Sequence, residues 1–268
     1  LARTIDERMW DDESGLYGWL ARTEGGSAEL VRLDGCAGDR SACAFLPLFG
    51  GLRSRKDRLL SSLLDPERFW TAYGVSSVDR LAPSYNPNGY WNGAVWPVMQ
   101  WYLWQGLLEA GEADLARQVA EKILATWQGD FRSDHYLGEH FVLKDARMRG
   151  APNFGGLSAV LLPMQAAYDT PYHVTPRFDV CVRRKTVDAA RDALILRLEA
   201  PYLEADGHVL LVNMGRGGVR YALRIDGRPG GEAQSDARGH LALRLPRPGP
   251  GGQELSLRPA VEAAPGPR

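Results

Sequence analysis

Glu139, a carboxylate set among aromatic and histidine side chains, is the residue of this sequence best suited by type and position to do chemistry. It follows Gly138 in the stretch SDHYLGEHF and is followed directly by His140. Aromatic neighbours remove water from a carboxylate, and the loss of hydration raises its pKa. A raised pKa suits a general base. The alternative is a surface glutamate paired with Arg147 or Arg149, and the sequence leaves both interpretations open.

A second group of residues forms an aromatic loop, residues 83–96, with the sequence PSYNPNGYWNGAVW. Its prolines and glycines exclude a regular helix through residues 83–93. Flat rings beside carboxamides are typical of a sugar pocket, because sugar C–H groups pack on aromatic faces and amides bind hydroxyls. The loop residues assigned to this pocket are Tyr85, Tyr90, Trp91, Asn92 and Trp96. Burial in a hydrophobic core is the competing explanation.

Other residues that could act as acids, ligands or crosslinks have weaker patterns. Four carboxylates lack motif support and are expected to be solvated loop residues: Asp11, Asp12, Asp34 and Asp145. His135 and His140 are five residues apart, which places them on different faces of a helix. The three cysteines lack metal-type spacing, so no zinc site or disulfide framework is predicted. A single Cys36–Cys43 bridge stays open for an exported protein.

The helices expected to position these groups lie in the first 170 residues, where all eight tryptophans occur between Trp10 and Trp127. Hydrophobic periodicity predicts helices over residues 1–10, 54–65, 95–110, 113–127 and 154–169. In the 95–110 helix, Trp101, Trp104 and Leu108 share one face, which we expect to pack in a core. The 95–110 and 113–127 helices are predicted to form an antiparallel hairpin.

From Pro171 onward the hydrophobic period changes from about 3.6 to 2, which is typical of strands. Six runs alternate in this way: RFDVCVRR, DALILRLEA, HVLLVNM, VRYALRID, HLALRL and QELSLRP. Six short strands predict a small β-sandwich or barrel. The fold class is therefore mainly α with an all-β C-terminal domain. The predicted domains are residues 1–172 and 173–260, followed by a disordered tail at 261–268.

The composition restricts the partners. A chain of 268 residues with 32 basic and 33 acidic side chains has a net charge of −1, which does not favour nucleic acid or an anionic membrane. No apolar window is long enough to span a bilayer, and LARTIDERMW is not a signal peptide. The sequence does not identify the compartment; a soluble, cytoplasmic protein is favoured. No cofactor and no metal site are implied.

Five stretches together resemble a known family. They are MWDDESGLYGW (9–19), FLPLFGGL (45–52), LLDPERFWTAYGVSSVDR (63–80), YWNGAVWP (90–97) and GEHF through GAPNFGGLSAVLL (138–162). In this order they are similar to the C-terminal half of the (α/α)6-barrel glycosidases, and more narrowly to glycoside hydrolase family 63 and its mannosylglycerate-hydrolase-like members. The resemblance covers about residues 1–170.

The resemblance implies a partial (α/α)6 toroid followed by a small β-sandwich, and an inverting glycoside hydrolase that acts on α-linked glucosides or mannosides. Glu139, eleven residues before Gly150, corresponds to the family's general base. Tyr90, Trp91 and Trp96 map to the segment that borders the cleaved sugar, and Asn153 and Phe154 to the same pocket. Asn92 stands where many members carry arginine, which bears on the identity of the sugar.

The family's general acid, an aspartate upstream of the first matching stretch, has no counterpart in the chain. We therefore expect either a part of a longer enzyme, whose N-terminal barrel half is a partner of this chain, or a short form without the acid. The alternative function is a non-catalytic carbohydrate-binding or regulatory module. A helical-barrel epimerase with His135 and His140 as acid and base is a third hypothesis.

Overall fold

The computed structural model describes residues 1–33, 36–38, 40–203 and 205–260. The chain divides into two compact units, Leu1–Met164 and Gln165–Arg268. The tail predicted at 261–268 lies outside the described residues, and the domain limits at 172 and 173 remain a prediction. Across the residues described, no helix combines the length and apolar character that a membrane crossing requires.

The helices lie mainly in the first unit. They are α1 (Ala2–Arg8), α2 (Leu46–Phe49), α3 (Lys56–Leu64), α4 (Pro97–Glu109), α5 (Ala113–Asp134), α6 (Gly155–Ser158) and α7 (Leu161–Asp169), the last of which crosses the division between the units. A 3-10 turn, Ala42–Phe45, precedes α2. The five predicted helices are confirmed as helical regions, with the 154–169 region split into α6 and α7.

The pair α4 and α5 forms the predicted hairpin and contributes much of the first core. Proline at the first position suits the start of α4, because the missing N–H would be unpaired there in any case. Trp104 and Leu108 are buried, and Trp101 is half-buried against Phe49. Gly111 ends α4 with a φ of +85°, a conformation that glycine adopts without strain. The core interpretation of this helical face is therefore correct.

The segment at 42–49 was not predicted as helical, although it packs directly on α4. Gly106 makes this packing close, since a Cβ there would lie 2.9 Å from the backbone nitrogen of Phe49. The segment is short and interrupted by Pro47, so its hydrophobic residues show no helical period in the sequence.

Short hairpins complete the first unit, and none of them has enough residues for a recognisable alternation. Each is an antiparallel pair: β1 (Trp10–Asp11) with β2 (Leu16–Tyr17), β3 (Leu20–Arg22) with β4 (Ala28–Leu30), β5 (Arg32–Leu33) with β6 (Cys36–Ala37), and β7 (His140–Phe141) with β8 (Met148–Arg149).

The second unit consists of a three-stranded and a five-stranded antiparallel sheet, in the orders β15-β12-β9 and β10-β11-β16-β13-β14. The strands are β9 (Val174–Thr175), β10 (Cys181–Asp188), β11 (Ala193–Glu199), β12 (Gly207–Asn213), β13 (Arg220–Ile225), β14 (Arg228–Gln234), β15 (His240–Pro246) and β16 (Gln253–Pro259). Alternate residues of both sheets form one apolar cluster, which includes Leu196, Leu210, Leu243 and Leu257. The β-rich C-terminal region is confirmed.

Three details of the strand prediction are wrong. Strand β9 was not predicted, because its two residues are too few to show an alternation. Strand β14, RPGGEAQ, was not predicted because Pro229 and two glycines are unfavourable in strands; they are tolerated here because β14 is the edge strand beside β13. The run RFDVCVRR becomes a strand only from Cys181 onward. Phe178 is largely exposed and packs against the Arg177 guanidinium instead of the core.

The buried carboxylate of Asp192 connects three separate segments of the second unit. Asp192 accepts hydrogen bonds from the hydroxyls of Tyr172, at 3.1 Å, and Tyr221, at 2.6 Å, and pairs with Arg216 at 3.2 Å. These partners satisfy a charge that would otherwise be unpaired in the fold.

Candidate active site

The aromatic loop is shaped by its own amides. The Asn92 carboxamide donates to the Ser84 carbonyl at 2.9 Å and accepts from the Tyr90 backbone N–H at 3.2 Å. The Asn86 side chain accepts from the Asn88 N–H at 2.9 Å. A Cβ at Gly93 would lie 2.0 Å from the Asn86 carbonyl oxygen, so the two arms of the loop approach each other where only glycine fits. The first role of the Asn92 amide is thus to hold the loop, and its contact with a sugar remains a prediction.

Two tryptophans of the loop stack face to face. The Trp91 and Trp96 rings are 3.6 Å apart with an interplanar angle of 2°. Trp91 is 50% exposed, whereas Trp96 is 0% exposed and donates its indole N–H to the Tyr90 carbonyl at 3.1 Å. Trp96 therefore supports the exposed ring from below and has no surface of its own for the sugar contact that the sequence predicted.

Backbone pairing brings Glu139 to this loop. Val95 and Phe141 exchange two hydrogen bonds of 2.9 Å each, one in each direction. Glu139 immediately precedes β7, and its N–H donates to the Arg149 carbonyl at 2.7 Å. The Tyr90 hydroxyl donates to Oε2 of Glu139, and the Ala151 backbone N–H donates to Oε1 at 3.0 Å. The two candidate groups, remote in sequence, form one site.

The Glu139 carboxylate is 8% exposed and is held by its hydrogen bonds. The hydrogen bond from Tyr90, and then that from the Ala151 N–H, hold the pKa of Glu139 below its ordinary value against the opposing effect of burial. The expectation of a raised pKa is wrong, because the sequence did not show these two donors. The ion-pairing alternative also fails for the arginines named: Arg147 pairs with Asp130 at 3.0 Å and Arg149 with Asp145 at 2.8 Å.

Two glycines allow close backbone contacts at this site, one with the Glu139 side chain and one between the strands of the β7–β8 hairpin. Gly150 has a φ of +92°, and a Cβ there would lie 2.7 Å from Cδ of Glu139. A Cβ at Gly138 would lie 2.4 Å from the Arg149 carbonyl oxygen. Gly150, Ala151 and the direct Tyr90–Glu139 bond are parts of the site that the sequence-based prediction does not include. Gly150, the glycine of the stretch RGAPN, was the one feature of the sequence that could have indicated a close backbone contact at this site.

The remaining predicted pocket residues differ in their exposure, and no hydrogen bond from them to Glu139 is described. Phe154 is exposed, and Asn153 is an exposed residue with a φ of +57° whose N–H donates to the Leu137 carbonyl at 2.5 Å. Tyr85 is half-buried and lies under Gly93. The structure thus leaves Tyr90, Trp91 and Phe154 as the exposed aromatic rings of the predicted set.

Three of the four carboxylates considered as acids from the sequence have side-chain partners. Asp11 is buried, contrary to the prediction of a solvated residue, and pairs with Arg32 at 2.8 Å. Burial raises the pKa of Asp11, but hydrogen bonds from Ser14 and Arg32 outweigh it and leave the pKa below its ordinary value. Asp12 accepts from the Trp10 indole at 2.7 Å, and Asp145 pairs with Arg149. Asp34 lies outside the described residues.

The two histidines lie in different surroundings, and Cys43 forms no disulfide. His135 is exposed at the end of α5, its ring 5.6 Å from that of Phe131, whereas His140 is buried against Tyr90 and Trp96. Cys43 is a free, exposed thiol. In the part of the chain that the structure covers, no group of three or more histidine, cysteine or acidic side chains is arranged to hold a metal ion.

An ionised carboxylate beside an exposed aromatic platform is a site suited to glycoside hydrolysis, and comparison with known proteins agrees with this class. Residues 1–155 match the family model described as the mannosylglycerate hydrolase MGH1-like glycoside hydrolase domain. The chain therefore belongs to this glycoside hydrolase family.

Individual relatives match over part of their length. The chain is 29% identical over 128 residues to a mannosylglycerate hydrolase of Rubrobacter radiotolerans, a match that covers 46% of this chain and 27% of that protein. It is 33% identical over 125 residues to mannosylglycerate hydrolase MGH1 of Selaginella moellendorffii, over 40% of this chain and 25% of that protein. The matches thus span about a quarter of these curated relatives.

Among solved structures, a family 63 mannosylglycerate hydrolase of Thermus thermophilus, in complex with glucose, is 25% identical. The match covers 58% of this chain and 36% of that chain, with a TM-score of 0.45.

Proposed function

We propose that this chain supplies the general base and part of the sugar-binding surface of an inverting glycoside hydrolase. The observation that carries the proposal is the Glu139 carboxylate, fixed by one hydrogen bond on each oxygen beside the exposed rings of Tyr90 and Trp91. Membership of the glycoside hydrolase family supports it.

The low pKa keeps Glu139 ionised at neutral pH, so that it accepts a proton from water. As that proton moves to Glu139, the water oxygen bonds to the anomeric carbon from the face opposite the leaving group. The glycosidic C–O bond breaks, and a general acid gives its proton to the leaving oxygen. An inverting site needs roughly 6.5–9.5 Å between the two carboxyl groups to admit this water.

The sugar platform consists of the exposed aromatic rings and nearby amides. Trp91 offers one face to the C–H groups of a sugar ring, since its other face is covered by Trp96. We assign Tyr85, Asn92, Asn153 and Phe154 to the wall of the same subsite. Trp96 is assigned a supporting role, because it has no exposed surface.

The general acid is proposed to come from outside these 268 residues, from a segment that completes an (α/α)6 toroid around the site. The candidate carboxylates Asp11, Asp12 and Asp145 are each engaged with another side chain. For substrate, we propose an α-linked mannoside or glucoside, because the relatives include mannosylglycerate hydrolases and a glucosylglycerate hydrolase of Mycolicibacterium hassiacum.

The test compares wild type with Glu139→Gln in the natural gene product that contains this chain, against a panel of α-glycosides. Loss of a general base lowers the rate by about 10²–10⁴-fold, while quenching of tryptophan fluorescence by the sugar should persist. Proton NMR of the first product should show the anomer of opposite configuration. An undiminished rate in Glu139→Gln would refute the assignment of the base.

A second candidate is a carbohydrate-binding module without turnover, which is favoured by the engagement of the acid candidates. It predicts that sugar quenches tryptophan fluorescence but that no glycoside is cleaved at any enzyme concentration. The same panel distinguishes the two proposals, because hydrolysis that depends on Glu139 excludes the binding module.

A further inference from the structure

His140 lies next to Glu139 but points into the aromatic cluster beneath the platform. Its side chain is 5% exposed. Its ring centroid lies 4.9 Å from that of Trp96, with an interplanar angle of 26°, and 5.0 Å from that of Tyr90, edge to face at 81°. Tyr90 and Trp96 also contact each other at 4.7 Å. His140 thus packs against both the ring that binds Glu139 and the ring that supports Trp91.

The surroundings of the His140 imidazole favour its neutral form over the cation. Its Nδ1 atom is buried and has no hydrogen-bond partner among the described residues. A histidine cation carries an N–H on both nitrogens, so protonation would leave a buried donor without an acceptor.

Charged groups around His140 act in opposite directions. Glu139, the residue before His140, favours the cation, whereas Arg149, opposite His140 in the hairpin, disfavours it; the Tyr90 hydroxyl donates its hydrogen bond to Glu139. Burial is the largest effect, and together with Arg149 it holds the pKa of His140 below its ordinary value. At neutral pH the ring is therefore uncharged.

We infer that His140 is a positioning residue of this site: its neutral ring fixes Tyr90 against Glu139 and Trp96 beneath Trp91, and its protonation disrupts both. The inference rests on the proposed function, because Glu139 is taken as the base. His140 is then a second group, beside Glu139, whose protonation ends activity at low pH. As pH falls through the pKa of His140, the cation forms and the ring packing is lost.

Three variants test the role of this ring. His140→Phe keeps a flat ring that cannot be protonated, and should retain activity at neutral pH within a few fold while its rate persists to lower pH than that of wild type. His140→Ala removes the ring. It should raise KM, because Trp91 loses its support, and lower kcat by about 10²-fold, the loss expected for a reacting group misplaced by about 1 Å.

His173→Phe is the matched control, since burial also lowers the pKa of His173 but that residue belongs to the second unit. Its pH profile should equal that of wild type.

Either of two pH profiles would overturn the inference: an acidic limb in His140→Phe that coincides with that of wild type, or the same change of profile in His173→Phe. A His140→Ala protein that keeps both kcat and KM would also do so.

A measurement without substrate separates this inference from the proposed function. The fluorescence of the tryptophans is followed against pH in this chain, and the His140 ring protons are titrated by NMR. We expect a fluorescence change with the midpoint of the His140 titration, present in His173→Phe and absent in His140→Phe. If His140 titrates without any fluorescence change, the positioning role is wrong even if glycosides are hydrolysed. If wild type cleaves no glycoside but the fluorescence result holds, only the proposed function fails.

Discussion

Replacing Gly150 by alanine tests whether the position of the Glu139 carboxylate determines the rate. The added Cβ would lie 2.7 Å from Cδ of Glu139, whereas carbon atoms pack best at about 3.5–4.0 Å. The carboxylate must therefore withdraw by roughly 1 Å. A displacement of that size at a reacting group lowers the rate by about 10²-fold.

The same substitution strains the backbone, because Gly150 has a φ of +92°. An L-residue in the left-handed region costs about 1–2 kcal/mol, which lowers Tm by roughly 2–8 °C in a protein of this size. Gly111→Ala is the matched control. Its φ is +85°, and a Cβ there would meet nothing within 4 Å, so it carries the strain without the clash.

Hydrolysis rates and thermal unfolding are measured for both variants below their unfolding temperatures. We expect similar losses of stability, a rate near that of wild type for Gly111→Ala, and a rate about 10²-fold lower for Gly150→Ala. If the two variants hydrolyse substrate equally well, the rate does not depend on where the Glu139 carboxylate sits, and the argument from geometry is refuted.

Three further substitutions address the neighbours of the base and the second unit. Tyr90→Phe, made in the His140→Phe background so that Glu139 alone sets the acidic limb, removes the donor that lowers the pKa of Glu139. The pKa therefore rises, and the acidic limb of kcat/KM should move to higher pH than in His140→Phe; an unchanged limb would show that this bond does not control the base. Trp91→Ala removes the exposed platform and should weaken sugar binding by roughly tenfold, the loss of about 1–1.5 kcal/mol typical of an aromatic contact, as measured by isothermal titration calorimetry. Tyr221→Phe leaves the buried Asp192 carboxylate short of a donor and should destabilise the second unit by about 1–3 kcal/mol in urea unfolding, with no effect on hydrolysis.

Much of the fold could be predicted because its elements are periodic. The core face of α4 and the alternating strands of the β unit each repeat a pattern over several turns or residue pairs, and burial of that pattern fixes the element. Strand β14 and the 42–49 segment could not be found in this way. Their stability depends on a neighbouring strand or helix, which local propensity does not contain.

The sequence by itself determined which chemical groups are available: a glutamate in the GEHF stretch, an aromatic loop without helical period, and five stretches that identify a glycosidase family. Only the tertiary structure decided how they act. The Tyr90 hydroxyl meets Glu139 across 49 residues because the Val95 and Phe141 backbones pair. In the resulting packing Trp91 is exposed, whereas Trp96 and His140 are buried. The pairing also lowers the pKa of Glu139, which the sequence had indicated would be raised, because hydrogen bonds from distant residues outweigh the burial that the local sequence suggested.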